Sequence, residues 1–370
     1  MSETVKSIWL DVDPGHDDAT AILLALHLTN IHLLGISTTH GNASSYHTAL
    51  NAARCLLAFG GAERGIRVYP GASKPLLLPP RYAPSIHGPD GLGGVEGLPR
   101  ADDPAVLALL AEDEDGKIIR ALDGMAKYIR QVWQKGSGKK VTVVSCGPMT
   151  NVALFVSVYP DLVDAVEQFV FMGGGVGLGN IAAVAEFNIL CDPHASQIVL
   201  DAAVPAVMIP LNVTHTAIVT HRIHWMLRSS KPPPEDLQFT TPLPQPSTPL
   251  RHTLSTLISF FADAYKSTFG FPGPPLHDPL TIVYVAYPEL FKAKRYRVDV
   301  ELSSTLTRGE TVVDVWGYRE CDDSWGSSGK NCIVTEALDV EKFFEIFFES
   351  VARCDKVSPL NQGVGTLLNA

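Results

Sequence analysis

Residues 11–18 read Asp11-Val12-Asp13-Pro14-Gly15-His16-Asp17-Asp18. The apolar run Ser7-Ile8-Trp9-Leu10 leads into them; it is short and bounded by turn residues, as a buried strand is. Pro14-Gly15 forces a tight reversal. Asp17-Asp18 then opens Ala19-Thr20-Ala21-Ile22-Leu23-Leu24-Ala25-Leu26, a segment of strong helix character. The first turn of a helix favours acids, because its free amides and its dipole attract negative charge. Four carboxylates therefore crowd the end of a strand and the start of a helix. Two of them could be caps or solvated acids. Four within eight residues repel one another, and a clustered or buried set requires a counter-charge. A hard divalent cation bound through oxygen is the simplest source.

Working outward, strand and helix signals alternate through the first two-thirds of the chain. A helix is expected over 17–27, a strand over His32–Thr38 and a helix over Ser44–Phe59, with a short strand at Ile66–Tyr69. Lys117–Gln134 reads as a helix, Val141–Cys146 as a buried strand, Val152–Val158 as a helix and Phe169–Met172 as a strand. A helix near Pro193–Leu200 and a strand over Val204–Leu211 follow. This order predicts an α/β fold, an open and mostly parallel central sheet with helices on both faces. Later in the chain, Arg251–Phe269 reads as a long helix, Leu276-His277-Asp278-Pro279 as the start of another, and Asp339–Arg353 as a final amphipathic one. Arg295–Leu302 and Glu310–Trp316 alternate like an antiparallel pair around Thr307-Arg308-Gly309, and Asn331–Ala337 reads as a further strand.

Three stretches break the periodicity. Pro70–Arg100 is rich in Pro and Gly around Ile86-His87-Gly88-Pro89-Asp90-Gly91, and so long a loop in a compact domain reads as an active-site flap. Ala101–Gly116 is acidic and Lys231–Leu250 is rich in proline; both read as surface insertions. The run Gly173-Gly174-Gly175-Val176-Gly177-Leu178-Gly179 does not fit Gly-x-Gly-x-x-Gly in any register, which weakens a dinucleotide reading.

At 370 residues the chain can bury a large core. A formal charge of −10 with no basic block argues against nucleic acid and against an anionic membrane surface. No apolar run reaches spanning length. Six cysteines lie scattered without a Cys-x-x-Cys pair, and no signal peptide precedes the first strand, so they read as reduced thiols of a cytoplasmic protein.

Ligands bind outside the carboxyl ends of the strands in open parallel sheets. Polar clusters recur at that edge: Asp13, Asp17 and Asp18 after the first strand, Asn42 after the second, Gly147–Asn151 after the middle one, and the glycine run after Met172. The N-terminal Asp-x-Asp-Pro-Gly-x-Asp-Asp-Ala resembles the signature of the nucleoside hydrolases. Thr39-His40-Gly41-Asn42, Cys146-Gly147-Pro148-Met149-Thr150-Asn151, Met172-Gly173-Gly174-Gly175, Ala185-Glu186-Phe187-Asn188 with Asp192-Pro193, His277-Asp278-Pro279 and Thr311-Val312-Val313-Asp314 resemble further motifs of that family, in the family's order.

The resemblance implies one nucleoside hydrolase domain over 1–370, a homodimer or homotetramer, that cleaves the N-glycosidic bond of a ribonucleoside with calcium as cofactor. It implies that Asp13, Asp18, the backbone carbonyl of Cys146 and Asp278 hold the calcium ion. Asp13 would also take the proton of the attacking water. Asp17 and Asn188 would meet the ribose diol, Asn180 and Glu186 the 5′-hydroxyl, and Met172 the sugar face. Asn42 would orient the metal or its water. Read from its place in the loop alone, His87 either lines the flap or is solvated, and His16 reads as a bystander pointing away. His277, beside a calcium ligand, is placed to help the base leave. That resembles the inosine–uridine or pyrimidine-preferring group, with uridine first and cytidine or inosine next, in nucleoside salvage. Two other readings stay open at this point. Asp11-x-Asp13 after a strand resembles the nucleophile motif of haloacid dehalogenase-like phosphohydrolases, and a non-catalytic nucleoside-binding protein could keep the same pocket.

Overall fold

The computed structural model describes residues 5–362 except 230. Residues 1–4 and 363–370 of the expected domain lie outside the described residues. The strands are β1 (Lys6–Val12), β2 (Ile31–Thr38), β3 (Val68–Pro70), β4 (Val141–Ser145), β5 (Val166–Met172), β6 (Ala206–Ile209), β7 (Phe291–Val300), β8 (Thr311–Asp314) and β9 (Cys332–Leu338). They form one sheet in the order β3-β2-β1-β4-β5-β6-β9-β7-β8. The pairs from β3 through to β9 are parallel, and β7 joins both β9 and β8 antiparallel.

The period of two explains both layers. Ile8, Leu10, Val12, Val144, Val170 and Val207 face one apolar cluster, while Trp9, Val143, Phe169, Phe171, Ala206 and Met208 face the other. A strand buried on both sides needs a continuous apolar run, which is what β1 and β4 carry. Helices His16–His27 and Pro279–Ala286 are buried along their whole length and pack into the first cluster. That accounts for their nearly uniform apolar composition after the acidic residues that open them.

The structure departs from the sequence reading in a few places. The helix expected from Lys117 begins at Ala121, because Ile118 pairs with Glu112 in an extended bridge and the Ile119 amide donates to the Ala111 carbonyl. Ala101–Gly116 is more than a surface excursion: it carries the short helix Pro104–Leu107, bridges Leu110 to β3, and buries Val106, Leu109 and Ala111. The flap contains a helical turn, Pro84–His87. The antiparallel pair β7–β8 forms as read, but β9 inserts between β6 and β7 and joins that pair to the parallel strands. Residues 231–248 hold neither helix nor strand, and Thr248 caps the helix Pro249–Phe269.

One buried side chain ties the strand ends together where the polar clusters lie. Asn151 Nδ2 donates to Asp11 Oδ1 at 2.8 Å and to the Thr38 carbonyl at 3.0 Å, and its Oδ1 accepts the Ala72 amide at 2.9 Å. It therefore couples β1, β2 and the start of the flap. Each buried polar group left without a partner costs about 1–3 kcal/mol. Asn151→Ala is expected to lower unfolding free energy by about 2–4 kcal/mol in urea titrations. A loss under about 0.5 kcal/mol would show that water replaces the amide at no cost.

Candidate active site

From β1 the chain builds outward to β2 and β3, and from β4 it builds in the opposite direction, so the strand order reverses between β1 and β4. A crevice opens at such a switch point, at the carboxyl ends of the strands. Asp13 follows β1, and Cys146-Gly147 follow β4. The backbone there must approach closely. A Cβ on Gly147 would stand 2.4 Å from Asp13 Oδ1, and one on Gly41 would stand 1.9 Å from Oδ2. Only glycine permits that approach on both sides of the Asp13 carboxylate.

Asp13 Oδ2 accepts the Asn42 amide at 2.7 Å, whereas Oδ1 is buried with no hydrogen-bond partner. Asp18 sits in the first turn of helix His16–His27. Its Oδ1 accepts the Asp13 amide at 3.1 Å, and its Oδ2 accepts Gly15 N–H at 3.0 Å and Asn42 Nδ2 at 3.2 Å. Asp278 arrives from the far end of the chain as the N-cap residue of helix Pro279–Ala286. Asp17, Asp18 and Asp278 bring carboxylate oxygens within 4.8 Å of one another. Asp17 belongs to the acidic trio and also lines the cavity. Asp13 lies beside it, close enough to feel the charge of Asp18, Asp17 and Asp11.

Burial dominates the electrostatics. It raises the Asp17 carboxyl to about 8, with the Asp18 charge adding to the effect. Burial, then Asp18, holds Asp13 well above the carboxylate range; burial, then Asp17 and Asp18, does the same for Asp278. Burial also raises Asp18, against the amides of Gly15 and Asp13 that pull it down. Among the described residues, no lysine or arginine lines the cavity above. A set of buried carboxylates with one orphaned oxygen and no cationic side chain must take up protons or a cation. All the donors are hard oxygens, the set that suits a divalent ion such as calcium.

The cavity above these acids is lined by Asp17, Asn42, Cys146, Met172, Asn180, Glu186, Asn188 and Asp278 on its polar side. Asp13 and Asp18 do not line it; Asp18 adjoins it through its trio with Asp17 and Asp278. Asn188 Nδ2 donates to the Cys146 carbonyl at 2.8 Å and lies 3.5 Å from the Met172 sulfur. Glu186 caps the helix Phe187–Cys191: Oε1 accepts the Asn188 amide, and Oε2 accepts those of Gly174 and Ile189. Burial raises its carboxyl to about 7 against those amides. Asn180 Oδ1 accepts the Phe187 amide at 2.9 Å.

The opposite side of the cavity is aromatic. His277 Nε2 lies 2.6 Å from the Tyr265 hydroxyl and Nδ1 2.7 Å from the Thr214 hydroxyl, so both ring nitrogens are engaged. Burial keeps this imidazole, and that of His87, far below the usual histidine range and therefore neutral. His87 lines the cavity from the flap and stacks on Phe261. His16 does not line the cavity, yet it is not turned away into solvent. It is buried, its Nδ1 stands 3.1 Å from His87 Nδ1, its Nε2 stands 3.0 Å from the Gly93 carbonyl, and its ring stacks on Phe260 and Phe261. His215 meets His277 edge-on, and His221 and His224 lie on the helix His221–Arg228.

Phe261, Tyr265 and Phe269, all lining the cavity, were not legible as site residues in the sequence. Their i, i+4, i+8 spacing marks one face of helix Pro249–Phe269 and was the available signal. Asp11 is buried against Ser37 and Asn151 and does not line the cavity, so it has no access to a phosphoester as a nucleophile. That removes the haloacid dehalogenase-like reading.

Comparison with known proteins agrees with this geometry. The family model described as inosine-uridine preferring nucleoside hydrolase matches residues 8–345. The chain is 36% identical over 355 residues to a probable ribonucleoside hydrolase of Dictyostelium discoideum, covering 96% of each chain. It is 35% identical over 350 residues to a pyrimidine-specific ribonucleoside hydrolase, RihA, of Shewanella sp. (strain MR-7), covering 94% of this chain and 96% of that one. Its fold is similar to that of a purine-preferring ribonucleoside hydrolase from Gardnerella vaginalis, with a TM-score of 0.76 at 28% identity over 95% of this chain and all of the other. The chain belongs to the inosine-uridine preferring nucleoside hydrolase family and is a hydrolase of the N-glycosyl bond of ribonucleosides.

Proposed function

We propose that the enzyme is calcium-dependent, cleaves uridine first and cytidine or inosine next, and serves cytoplasmic nucleoside salvage as a homodimer or homotetramer. The observation that carries the calcium and substrate reading is the polarity of one cavity. Uncompensated buried carboxylates form its floor, and an imidazole–phenol pair stands in its aromatic side.

Asp13, Asp18, Asp278 and the Cys146 carbonyl would hold the calcium ion, with Asp17 near enough to share it. When bound, the ion supplies Lewis-acid polarisation and a fixed positive charge for oxygen ligands. Asp13, whose Oδ1 has no other partner, takes a proton from the water that attacks the anomeric carbon. Asn42 keeps Asp13 and Asp18 in register through its amide and its side chain. Asp17 and Asn188 bind the ribose diol, Asn180 and Glu186 bind the 5′-hydroxyl, and Met172 packs on the sugar. Positive charge grows on the ring as the base departs, so an anionic floor favours the transition state over the ground state. The base leaves toward Tyr265 and His277. These two share a hydrogen bond and act as one donor unit against its developing negative charge.

A site built to bind a hydroxyl rejects a substrate that lacks it by roughly 10⁴-fold or more, because its polar groups are left unpaired. The kcat/KM for 2′-deoxyuridine should fall below that for uridine by that order. Comparable efficiencies would exclude contact between the diol and the acidic floor.

Uracil needs help to leave, and nitrophenolate does not. Donor assistance of this type is worth about 10²–10⁴-fold. His277→Ala is therefore expected to slow uridine hydrolysis by that factor and to spare p-nitrophenyl riboside. Tyr265→Phe should show the same selective pattern. Equal losses on both substrates would make the pair structural.

A third outcome concerns pH. Carboxyls with folded pKa values raised from 3.8, to about 8 for Asp17, keep protons that the unfolded chain has lost. The metal-free protein should therefore lose stability as pH rises from about 4 towards 8. Calcium replaces those protons, so its stabilising effect should grow across the same window. Melting curves with chelator or with calcium at both ends of the window test this. An equal calcium shift at both ends, or none, would count against a carboxylate-held ion.

A further inference from the structure

The segment Thr311-Val312-Val313-Asp314 has no place in the chemistry above, yet its first residue reaches the site. Thr311 is buried at the start of edge strand β8. Its Oγ1 accepts the Gly175 amide at 3.0 Å and donates to the Gly175 carbonyl at 2.9 Å, across 136 residues of sequence. One hydroxyl thus grips both polar groups of a single residue in the glycine run that follows β5. The neighbouring Gly174 has φ +74° and donates its amide to Glu186 Oε2 at 3.0 Å. A Cβ on Gly174 would stand 2.8 Å from both Cγ2 and Oγ1 of Thr311, so the Thr311 side chain packs directly on the Gly174 backbone. The residue before Thr311, Glu310, bridges Ala185, which is the residue before Glu186. Two successive residues, Glu310 just before β8 and Thr311 at its start, therefore hold both ends of the loop 175–185. That loop carries Asn180, whose side chain accepts the Phe187 amide.

We propose that Thr311 is a positioning residue for recognition of the 5′-hydroxyl. It touches no substrate. Its hydroxyl fixes Gly175, Gly175 fixes the Gly174 amide, and that amide holds one oxygen of Glu186 so that the carboxyl faces the cavity beside Asn180. A side chain held in this way discriminates because its rotamer is set before the substrate arrives. β8 belongs to the antiparallel end of the sheet, outside the parallel core that carries the acids. The sugar's 5′ end and its diol are therefore positioned by different parts of the chain. This inference rests on the assignment of Asn180 and Glu186 to the 5′-hydroxyl.

The test compares kcat/KM for uridine and 5′-deoxyuridine in the calcium-loaded full chain, with 2′-deoxyuridine as an internal control. The unmodified enzyme should prefer uridine over 5′-deoxyuridine by at least about 10²-fold. Thr311→Val keeps the shape and removes the hydroxyl. It should cut that preference at least about ten-fold by lowering kcat/KM for uridine and sparing 5′-deoxyuridine; 2′-deoxyuridine, which keeps the 5′-hydroxyl, should fall with uridine, so the preference over it stays unchanged. Thr311→Ser restores the hydroxyl and should keep the preference within about three-fold of the unmodified enzyme. If the unmodified enzyme does not distinguish uridine from 5′-deoxyuridine, the assignment of Asn180 and Glu186 fails. If it does and Thr311→Val keeps the full preference, the role of Thr311 fails on its own. A parallel loss of both preferences would mean general damage and would also overturn it. Thr311→Ala removes the same hydroxyl with less bulk and is read in the same way. If neither the Val nor the Ala variant folds, the hydroxyl serves the fold and the proposal falls.

Discussion

The structure depends on one electrostatic constraint: several carboxylates are buried together, and among the described residues no lysine or arginine lines the cavity beside them. Asp13, Asp17, Asp18 and Asp278 are all buried, and their mutual repulsion adds to the cost of desolvation. Such a cluster persists only if backbone amides hold individual oxygens and a cation or protons complete the charge. The first condition is met locally. Asp18 takes the amides of Asp13 and Gly15 at the opening of a helix whose dipole favours it, and Asp13 takes that of Asn42. The second is left to the solution, because Asp13 Oδ1 has no protein partner.

This constraint is met by building the floor at the ends of strands that are buried on both faces. β1 and β4 are the central parallel strands at the switch point, and their side chains are buried on both faces. Gly41 and Gly147 let neighbouring backbone press against the Asp13 carboxylate, which leaves little room for it to swing away from its neighbours. The aromatic side is different in kind. It comes from the flap and from helix Pro249–Phe269, which meet where Gly93 and Gly94 pack against Phe260. Charge placement thus lies with the strand ends and the helix starts beside them, and the aromatic wall lies with the flap and one helix.

That division also decides what could be read in advance. The floor was legible because Asp13, Asp17 and Asp18 are adjacent in sequence and a two-residue apolar period fixes where β1 ends. That Asp17 and Asp18 both turn toward Asp278 is a matter of side-chain direction in the first helical turn, and spacing does not carry it. Tyr265 and Phe261 escaped notice because aromatic residues four apart on a helix look the same whether they face a core or a cavity. The insertion of β9 between β6 and β7 was hidden as well. Arg295–Val300 and Thr311–Asp314 pair as their alternation implies, but nothing local states that β7 has a second neighbour. Ala101–Gly116 misled through its acidic residues, which lie outside, while Val106, Leu109 and Ala111 fill the core beneath.

The histidines complete the electrostatic argument. Histidines beside buried acids would ordinarily be suspected of supplying the missing positive charge. Here burial lowers His16 to about 4 and drives His87 and His277 well below the usual range. Their ring nitrogens face groups that a neutral imidazole can satisfy: His277 lies between two hydroxyls, and His16 faces a carbonyl on one side and the ring of His87 on the other. A cationic imidazole in this position would compete with a bound ion for the acidic floor and would oppose positive charge on the sugar. Neutral rings do neither. They leave the floor's negative charge to be balanced by a bound cation or by protons.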